Sequence, residues 1–117
     1  MGLNTLKRQI ISSGAMDTGD LSSDWIDTSN LQSGSFSFVW SAGSSPVGTV
    51  VVDISNNDTK SDSTELTLSA TLSVSGASGA HIANLDVIPC RFVRLRYKGT
   101  SGTATANVWF AGKGDAN

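Results

Sequence analysis

The stretch TELTLSATLSV at residues 64–74 decides the fold class of this 117-residue chain. Its apolar and polar residues alternate strictly over eleven positions. The apolar members are Leu66, Leu68, Ala70, Leu72 and Val74. A period of two places them on one face of a β-strand and the polar residues on the other, whereas a helix would scatter them. The stretch therefore predicts a strand of an antiparallel sheet that has one face in solvent.

Other parts of the chain have the same character. Every second residue from 36 to 40 is aromatic, and residues 49–54 are almost entirely β-branched. Because the residues between them, SSPVG at 44–48, are turn formers, the two strands are predicted to form a hairpin. Further strands are predicted at residues 81–87, 91–98 and 103–111, with a turn of GTSG at 99–102 before the last of them.

These segments predict an all-β chain. About six to eight short strands without helical periodicity indicate a single antiparallel β-sandwich, jelly-roll-like in form. We expect the sandwich to occupy residues 25–114, beginning at Trp25, with a C-terminal tail at residues 115–117. Residues 1–24 are expected to form an extended N-terminal arm or loop that contacts a neighbouring subunit, although residues 7–11 also suit an edge strand.

Composition and charge exclude several classes of protein. Charged residues make up 15% of the chain, against about 25% in average soluble domains, and serine and threonine together number 30. This composition fits neither a charged disordered tail nor a coiled coil. The net charge of −2 argues against a nucleic-acid partner, since nucleic-acid binders normally carry a basic excess. No apolar run reaches the length of a membrane helix or of a signal-peptide core, so we expect no membrane partner and synthesis in a cytoplasm.

The sequence predicts no catalytic or metal chemistry. His81 and Cys90 are the only histidine and cysteine, and neither lies in a nucleophile motif. One residue of each type does not complete a structural zinc site. A group of oxygen-bearing residues is of the kind that binds calcium, but it lacks the EF-hand spacing and suits a solvated turn better. Its members are Asp53, Asn56, Asn57, Asp58 and Asp62. We expect no cofactor and no enzymatic activity.

Positive charge is concentrated in the predicted strand at residues 91–98. Residues 91–117 contain five basic residues and one acidic residue, whereas the rest of the chain contains three basic and nine acidic ones. Alternation places Arg94, Arg96 and Lys98 on one face of this strand. That face is expected either to contact an acidic partner surface or to form cross-strand pairs with Asp or Glu of its own sheet.

The aromatic residues divide into core and surface candidates. Trp40 and Tyr97 fall on positions that face the core. Trp109 lies between two apolar neighbours, so the pattern does not fix its face, and we expect it at an interface. If it is exposed, Trp109 could also stack on a sugar, as could Trp25.

Several of these segments together resemble a small domain that recurs in virion proteins of tailed bacteriophages. In the first half the resemblance rests on FSFVW at residues 36–40, SPVGT at 45–49 and VDISN at 52–56. In the second half it rests on RFVRLRY at residues 91–97, SGTATANVW at 101–109 and GKG at 112–114. The resemblance covers about residues 25–114, consists of strand and turn residues, and carries no catalytic residue.

The resemblance implies a β-sandwich structural component of a phage particle, located in the virion. We expect a capsid decoration or cement protein that binds the major capsid protein or other virion proteins and forms a homo-oligomer on the particle. The alternative is a tail or spike component, including a carbohydrate-binding module for adsorption to the host. The candidate partner-binding residues are Lys7, Arg8, Arg94, Arg96, Lys98 and Trp109.

Overall fold

The computed structural model describes residues 3–68, 70–88 and 90–115, and it is all-β as predicted, without a helix in those ranges. Every ladder in it is antiparallel. The eight strands are β1 (Leu3–Met16), β2 (Gly19–Ser22), β3 (Ile26–Asp27), β4 (Ser33–Ser55), β5 (Thr64–Glu65), β6 (Leu72–Val74), β7 (Gly79–Leu85) and β8 (Phe92–Asp115).

All eight strands belong to one hydrogen-bonded sheet, in which β4 and β8 are the central members. These two strands have 23 and 24 residues and pair from Ser33 with Lys113 to Ser55 with Phe92. On its other side β4 pairs first with β7 and then with β6 and β5. On its other side β8 pairs first with β3 and β2 and then with β1.

The sheet folds back on itself into two layers. Tyr97 pairs with Val50, which is 12 residues from Phe38 along β4, so a straight sheet would hold the Phe38 and Tyr97 rings about 40 Å apart. Their ring centroids are 5.9 Å apart and the rings are stacked. Layer A consists of β1, β7, residues 33–41 of β4 and residues 104–115 of β8. Layer B consists of β2, β3, β5, β6, residues 48–55 of β4 and residues 92–99 of β8.

The two segments predicted as turns form the corner between the layers. Residues 44–48 and 99–102 do not reverse the chain, because they lie opposite each other inside the long ladder, with Ser44 paired to Thr103 and Val47 to Ser101. The register shifts three times over this stretch, which bends a strand without ending it. The hairpin predicted within residues 35–54 is therefore wrong, and both segments belong to continuous strands.

The core lies between the layers and is one cluster. Layer A contributes Phe36, Phe38 and Phe110, all at most 1% exposed, and layer B contributes the opposing valines and leucine of β4 and β8. The Phe36 and Phe110 rings pack 4.9 Å apart. Trp40 and Tyr97 are buried at 5% and 1% exposure, which confirms their predicted core positions.

The N-terminal segment is part of the sheet. The sequence assigns residues 1–24 to an arm outside the domain, but β1 pairs with β8 from Leu3 to Met16 and β2 pairs with β8 from Gly19 to Ser22. The edge-strand alternative for residues 7–11 is the one observed. At the other terminus β8 continues to Asp115, and the rest of the predicted tail lies outside the described residues.

The segment at residues 64–74 is shorter in strand than its alternation predicts. Asp53 lies three positions after Val50 on β4, whereas their partners Glu65 and Leu72 lie seven positions apart. Part of the segment therefore leaves the ladder; β5 and β6 remain paired, and the Leu66 amide donates one further bond to the Val52 carbonyl at 2.8 Å. An edge segment pairs on one side only, so a departure there costs few hydrogen bonds.

Candidate interaction surfaces

The basic residues of β8 lie on the outer face of layer B. Val93, Leu95 and Tyr97 are buried, and the residues between them point outward, as the alternation predicts. β4 lies alongside and brings Asp53 directly opposite Arg94. β5 places Glu65 next to Asp53 on the other side of β4.

Asp53 is the centre of an ion-pair network. Its side chain is 3% exposed and accepts hydrogen bonds from Arg94 Nε at 2.8 Å and from Arg96 Nε and Nη2 at 3.0 and 3.1 Å. Arg96 also donates to Glu65 at 2.8 Å and to Asp20 at 3.2 Å. A burial this complete is tolerated because both carboxylate oxygens are paired with guanidinium donors.

The network neutralises the basic strand face. Lys98 Nζ lies 3.2 Å from Glu65, so the three cations of β8 face the three carboxylates of Asp20, Asp53 and Glu65. Of the two sequence interpretations, the structure therefore confirms cross-strand pairing within the sheet. Arg94, Arg96 and Lys98 are brought together, but with their own counter-charges rather than as an open basic patch.

The pKa values follow these contacts. Asp53 is the main cause of a raised pKa at Arg96, with a smaller contribution from Glu65. Hydrogen bonds from Lys98 and Arg96 lower the pKa of Glu65 below its usual 4.5. The sequence predicts pairs with Asp or Glu but does not identify the partners, because Asp53 lies 41 residues from Arg94 and only the pairing of β4 with β8 brings them together.

The lowered pKa of Glu65 predicts a loss of stability in acid. The carboxylate stabilises the fold fully above pH 4.5, and this contribution is lost as the pH falls through its lower folded pKa. We expect the thermal midpoint to fall on acidification and to fall less in a Glu65→Gln variant, as measured by circular dichroism at a series of pH values.

Asp17→Asn serves as the control for this prediction. Asp17 is exposed and takes part in no ion pair within the described residues. An acid-induced fall of the same size in Glu65→Gln and in the wild type would contradict the assignment.

Trp25 is part of the same face. The Arg94 guanidinium lies over its ring, 4.7 Å from the centroid, and the side chain is half-buried. A cation already stacked on this ring stabilises both groups. Trp25 is therefore not an open platform for a sugar.

Trp109 lies on the outer face of layer A and is 42% exposed. Ser37 of β4 separates it from Ile82 of β7, which is 61% exposed, and Val39 in the next row is 37% exposed. These three side chains form an apolar patch in the middle of a four-stranded sheet face. The sequence pattern does not fix the face of Trp109, and the structure places it outside the core.

The residues around this patch are polar and mostly uncharged. Gln9 of β1 pairs with Trp109, and its side-chain amide donates to Asn107 Oδ1 at 3.2 Å. We define the outer face of layer A by its outward residues. They are Lys7, Gln9, Ala15, Ser33, Ser35, Ser37, Val39, Ser41, Ala80, Ile82, Asn84, Thr105, Asn107, Trp109, Ala111 and Lys113.

The sequence did not identify Ile82 and Val39 as surface residues, although the alternation of β7 is a signal for Ile82. Ala83 and Leu85 are buried at 4% and 3% exposure, so the period of two places Ile82 on the opposite face of β7. Apolar residues occupy both even and odd positions of β7, so the sequence pattern alone does not show which set faces the core.

Lys7 and Arg8 lie on β1 at the edge of layer A, and both are exposed. β1 pairs with β8 on one side, and no other strand of the described part pairs with it. Neither residue takes part in any ion pair within the described ranges, and the same is true of Lys113 on β8. Positive charge that is outside any ion pair of the described residues therefore lies at the β1 edge, whereas the cations on the outer face of layer B are paired.

The polar side chains of the loop at residues 55–62 bond to other groups of this chain. Asp62 accepts hydrogen bonds from the Ser55 hydroxyl at 2.5 Å and from the Asn56 amide at 3.1 Å, and the first of these lowers the pKa of its carboxyl. Asp58 pairs with Arg91 at 3.0 Å. Within the part of the chain that the structure describes, no group of three or more potential ligands is placed to hold a metal ion.

His81 and Cys90 are not brought together. His81 of β7 bonds the Ser73 carbonyl through Nε2, and its ring lies 5.5 Å from Trp40. Cys90 lies at the other layer, with its Sγ 3.3 Å from the Phe92 carbonyl oxygen, and burial raises the pKa of its thiol. A raised pKa keeps the thiol protonated and unreactive at neutral pH.

Among the described residues there is no helix that could cross a membrane.

Comparison with known proteins rests on structure alone. No protein-family model and no curated protein sequence matches this chain. The SPBc2 prophage-derived protein YomS shares the fold over 97% of this chain and 96% of its own, with a TM-score of 0.52 and 10% identity. A chain in a structure of infectious bursal disease virus, Gx strain, matches over 99% of this chain with a TM-score of 0.53 and 10% identity.

This chain spans 33% of the viral chain and nearly all of the prophage-derived one. At this identity the likeness shows the fold alone. The protein is thus an all-β sandwich with an architecture that occurs in a prophage-derived protein and in a chain of a virus.

Proposed function

We propose that this chain is a non-enzymatic structural protein of a tailed-bacteriophage particle, and more narrowly a capsid decoration or cement protein. The observation that carries the proposal is the end-to-end match in fold with a prophage-derived protein of nearly the same length. The resemblance of residues 25–114 to domains of phage virion proteins supports it independently. A match in fold with a chain in a structure of infectious bursal disease virus is compatible with the same role.

The surface chemistry supports a binding role on a large assembly. Copies that also contact one another on the particle bind with an avidity that a single contact lacks, so a modest contact from each copy to the particle is sufficient. The β1 edge offers such a contact through Lys7 and Arg8, whose charges are unpaired within the described residues. We propose that this edge contacts an acidic surface of the major capsid protein or another virion protein.

The first experiment is co-sedimentation of the purified protein with phage heads that lack it, using tailless heads. Binding of many copies to tailless heads is expected. Absence of binding there would contradict decoration. If binding then occurs on tailed particles or on host glycan, the function moves to the tail or spike.

Replacing Lys7 and Arg8 together with serine is expected to weaken binding to heads about ten-fold at low salt, because two exposed charges each contribute modestly to association. The difference from the wild type should shrink as salt screens these charges. The measurement is head occupancy at a series of protein and salt concentrations.

A double replacement of Lys60 and Arg91 with serine removes the same charge from the 55–62 loop region and serves as the control. Equal weakening in both double variants would show that net charge alone matters and would contradict the β1 assignment.

One observation favours the alternative of a carbohydrate-binding tail or spike component. Trp109 is exposed, and the amides of Gln9 and Asn107 lie beside it on a face without charges at its centre. An aromatic ring flanked by amide groups is a suitable arrangement for a sugar ring. The co-sedimentation experiment separates this alternative from decoration.

A further inference from the structure

We propose that two copies of this chain associate face to face through the outer face of layer A, with Trp109 as the central anchor. The apolar patch of Trp109, Ile82 and Val39 lies in the middle of this face, with uncharged polar and small side chains around it. An apolar centre with a polar rim is the usual anatomy of a protein interface. The inference extends the proposed function, since it names the surface through which copies of a decoration protein meet each other.

The charge distribution favours a second copy as the occupant. In a twofold contact each residue faces the symmetry mate of its own surface, so a charged face would oppose like charges. The central rows of this face carry none. Charges occur at one end only, with Lys7 and Lys113 on the side of β1 and β8 and the exposed Asp86 just beyond β7.

A twofold axis in the plane of this face can run along the strands or across them. Both orientations avoid repulsion between like charges. An axis along the strands exchanges the two sides and brings Asp86 of one copy towards Lys7 and Lys113 of the other. An axis across the strands exchanges the two ends and places the charged end over Ser41 and Thr105, which pair with each other at the opposite end. Neither arrangement opposes charges of the same sign.

The area of the face is sufficient for a weak specific dimer. Four strands at about 4.8 Å spacing and nine residues of β4 at about 3.4 Å each give about 600 Å² of flat area per copy. Projecting side chains such as Trp109 and Ile82 add accessible area to this figure. The total is on the order of 1,200 Å², the lower limit for specific protein interfaces, so a reversible dimer is expected.

The test is sedimentation velocity of the purified full chain over a range of concentrations, without phage particles. The wild type is expected to pass reversibly from monomer to dimer. Trp109→Ser is expected to raise the dissociation constant about 30-fold or more, the size of effect typical of a tryptophan anchor. Ile82→Lys places a charge in the patch at a side chain 61% exposed, where it does not disturb the core, and is expected to abolish the dimer.

Val47→Ser is the matched control. Val47 is 47% exposed at the corner and lies outside the outer face of layer A, so this variant is expected to dimerise as the wild type does. A monomer at every concentration, or a dimer that survives both Trp109→Ser and Ile82→Lys, would overturn the proposal. If the chain is monomeric and Trp109→Ser abolishes binding to heads or to glycan, that partner occupies the face instead. Because the assay contains no particles, its failure is distinct from a failure of head binding.

Discussion

An Asp53→Ala variant is expected to lose about 3 kcal/mol of unfolding free energy, because removing one partner of a buried ion pair leaves the remaining charges uncompensated. Asp53 is 3% exposed, and it accepts three of the hydrogen bonds that hold Arg94 and Arg96 on layer B. Arg96 retains Asp20 and Glu65, which places the expected loss at the lower end of the range for buried pairs. Chemical denaturation followed by tryptophan fluorescence measures it.

Asp58→Ala provides the comparison, since Asp58 also pairs with one arginine of the same region. Its side chain is 80% exposed and that of Arg91 is 50% exposed, so solvent screens the pair and the expected loss is below about 1 kcal/mol. A loss of similar size in both variants would show that burial of Asp53 under the two arginines contributes nothing specific. The pair of variants thus tests whether the ion-pair network contributes to the free energy of unfolding.

The ion-pair network also explains why the two outer faces differ in what they offer a partner. The outer face of layer B uses its charges internally, between β8 and the neighbouring β2, β4 and β5. The outer face of layer A has an exposed tryptophan and few charges, and its β1 edge carries Lys7 and Arg8 outside any ion pair of the described residues. Contacts to other molecules are therefore expected on layer A and its edge.

The local pattern of the sequence predicts which residues lie in strands and which of them face the core. Alternation correctly places Phe36, Phe38 and Tyr97 inside and Arg94 outside, because the side-chain period of a strand is set by its own backbone. The pattern does not show which residues of two neighbouring strands lie opposite each other. Asp53 and Arg94 meet only because β4 and β8 run side by side through both layers.

The same limit explains the errors at the corner and at the N-terminus. Glycine and serine at residues 44–48 and 99–102 permit a reversal or a bend, and only the opposing strand decides between them. Lys7 and Arg8 make β1 resemble a solvent-exposed arm, yet charged residues are also what an edge strand uses to discourage further pairing. A single sequence does not distinguish these cases, since both leave the side chains in solvent.

The corner provides the second large effect, because its geometry admits only glycine at residue 102. Gly102 has φ of 74°, and a Cβ built there would lie 2.7 Å from the Pro46 Cα and closer still to the Ser45 carbonyl oxygen. A Gly102→Ala variant is expected to lose about 3 kcal/mol of unfolding free energy. About 1 kcal/mol comes from the left-handed backbone, and about 2 kcal/mol from forcing β4 and β8 apart where the sheet bends.

Gly76→Ala separates these two causes. Gly76 has φ of 84° but no atom within 4 Å of its built Cβ, so this variant carries the backbone cost alone and is expected to lose only about 1 kcal/mol. Both free energies come from urea denaturation under the same conditions. Equal losses would mean that the strands at the corner yield freely and that the bend does not depend on their close approach. A larger loss at Gly102 would show that the close approach of β4 and β8 at the bend contributes to stability. The two layers are then joined by this paired bend and not by a reversal of the chain.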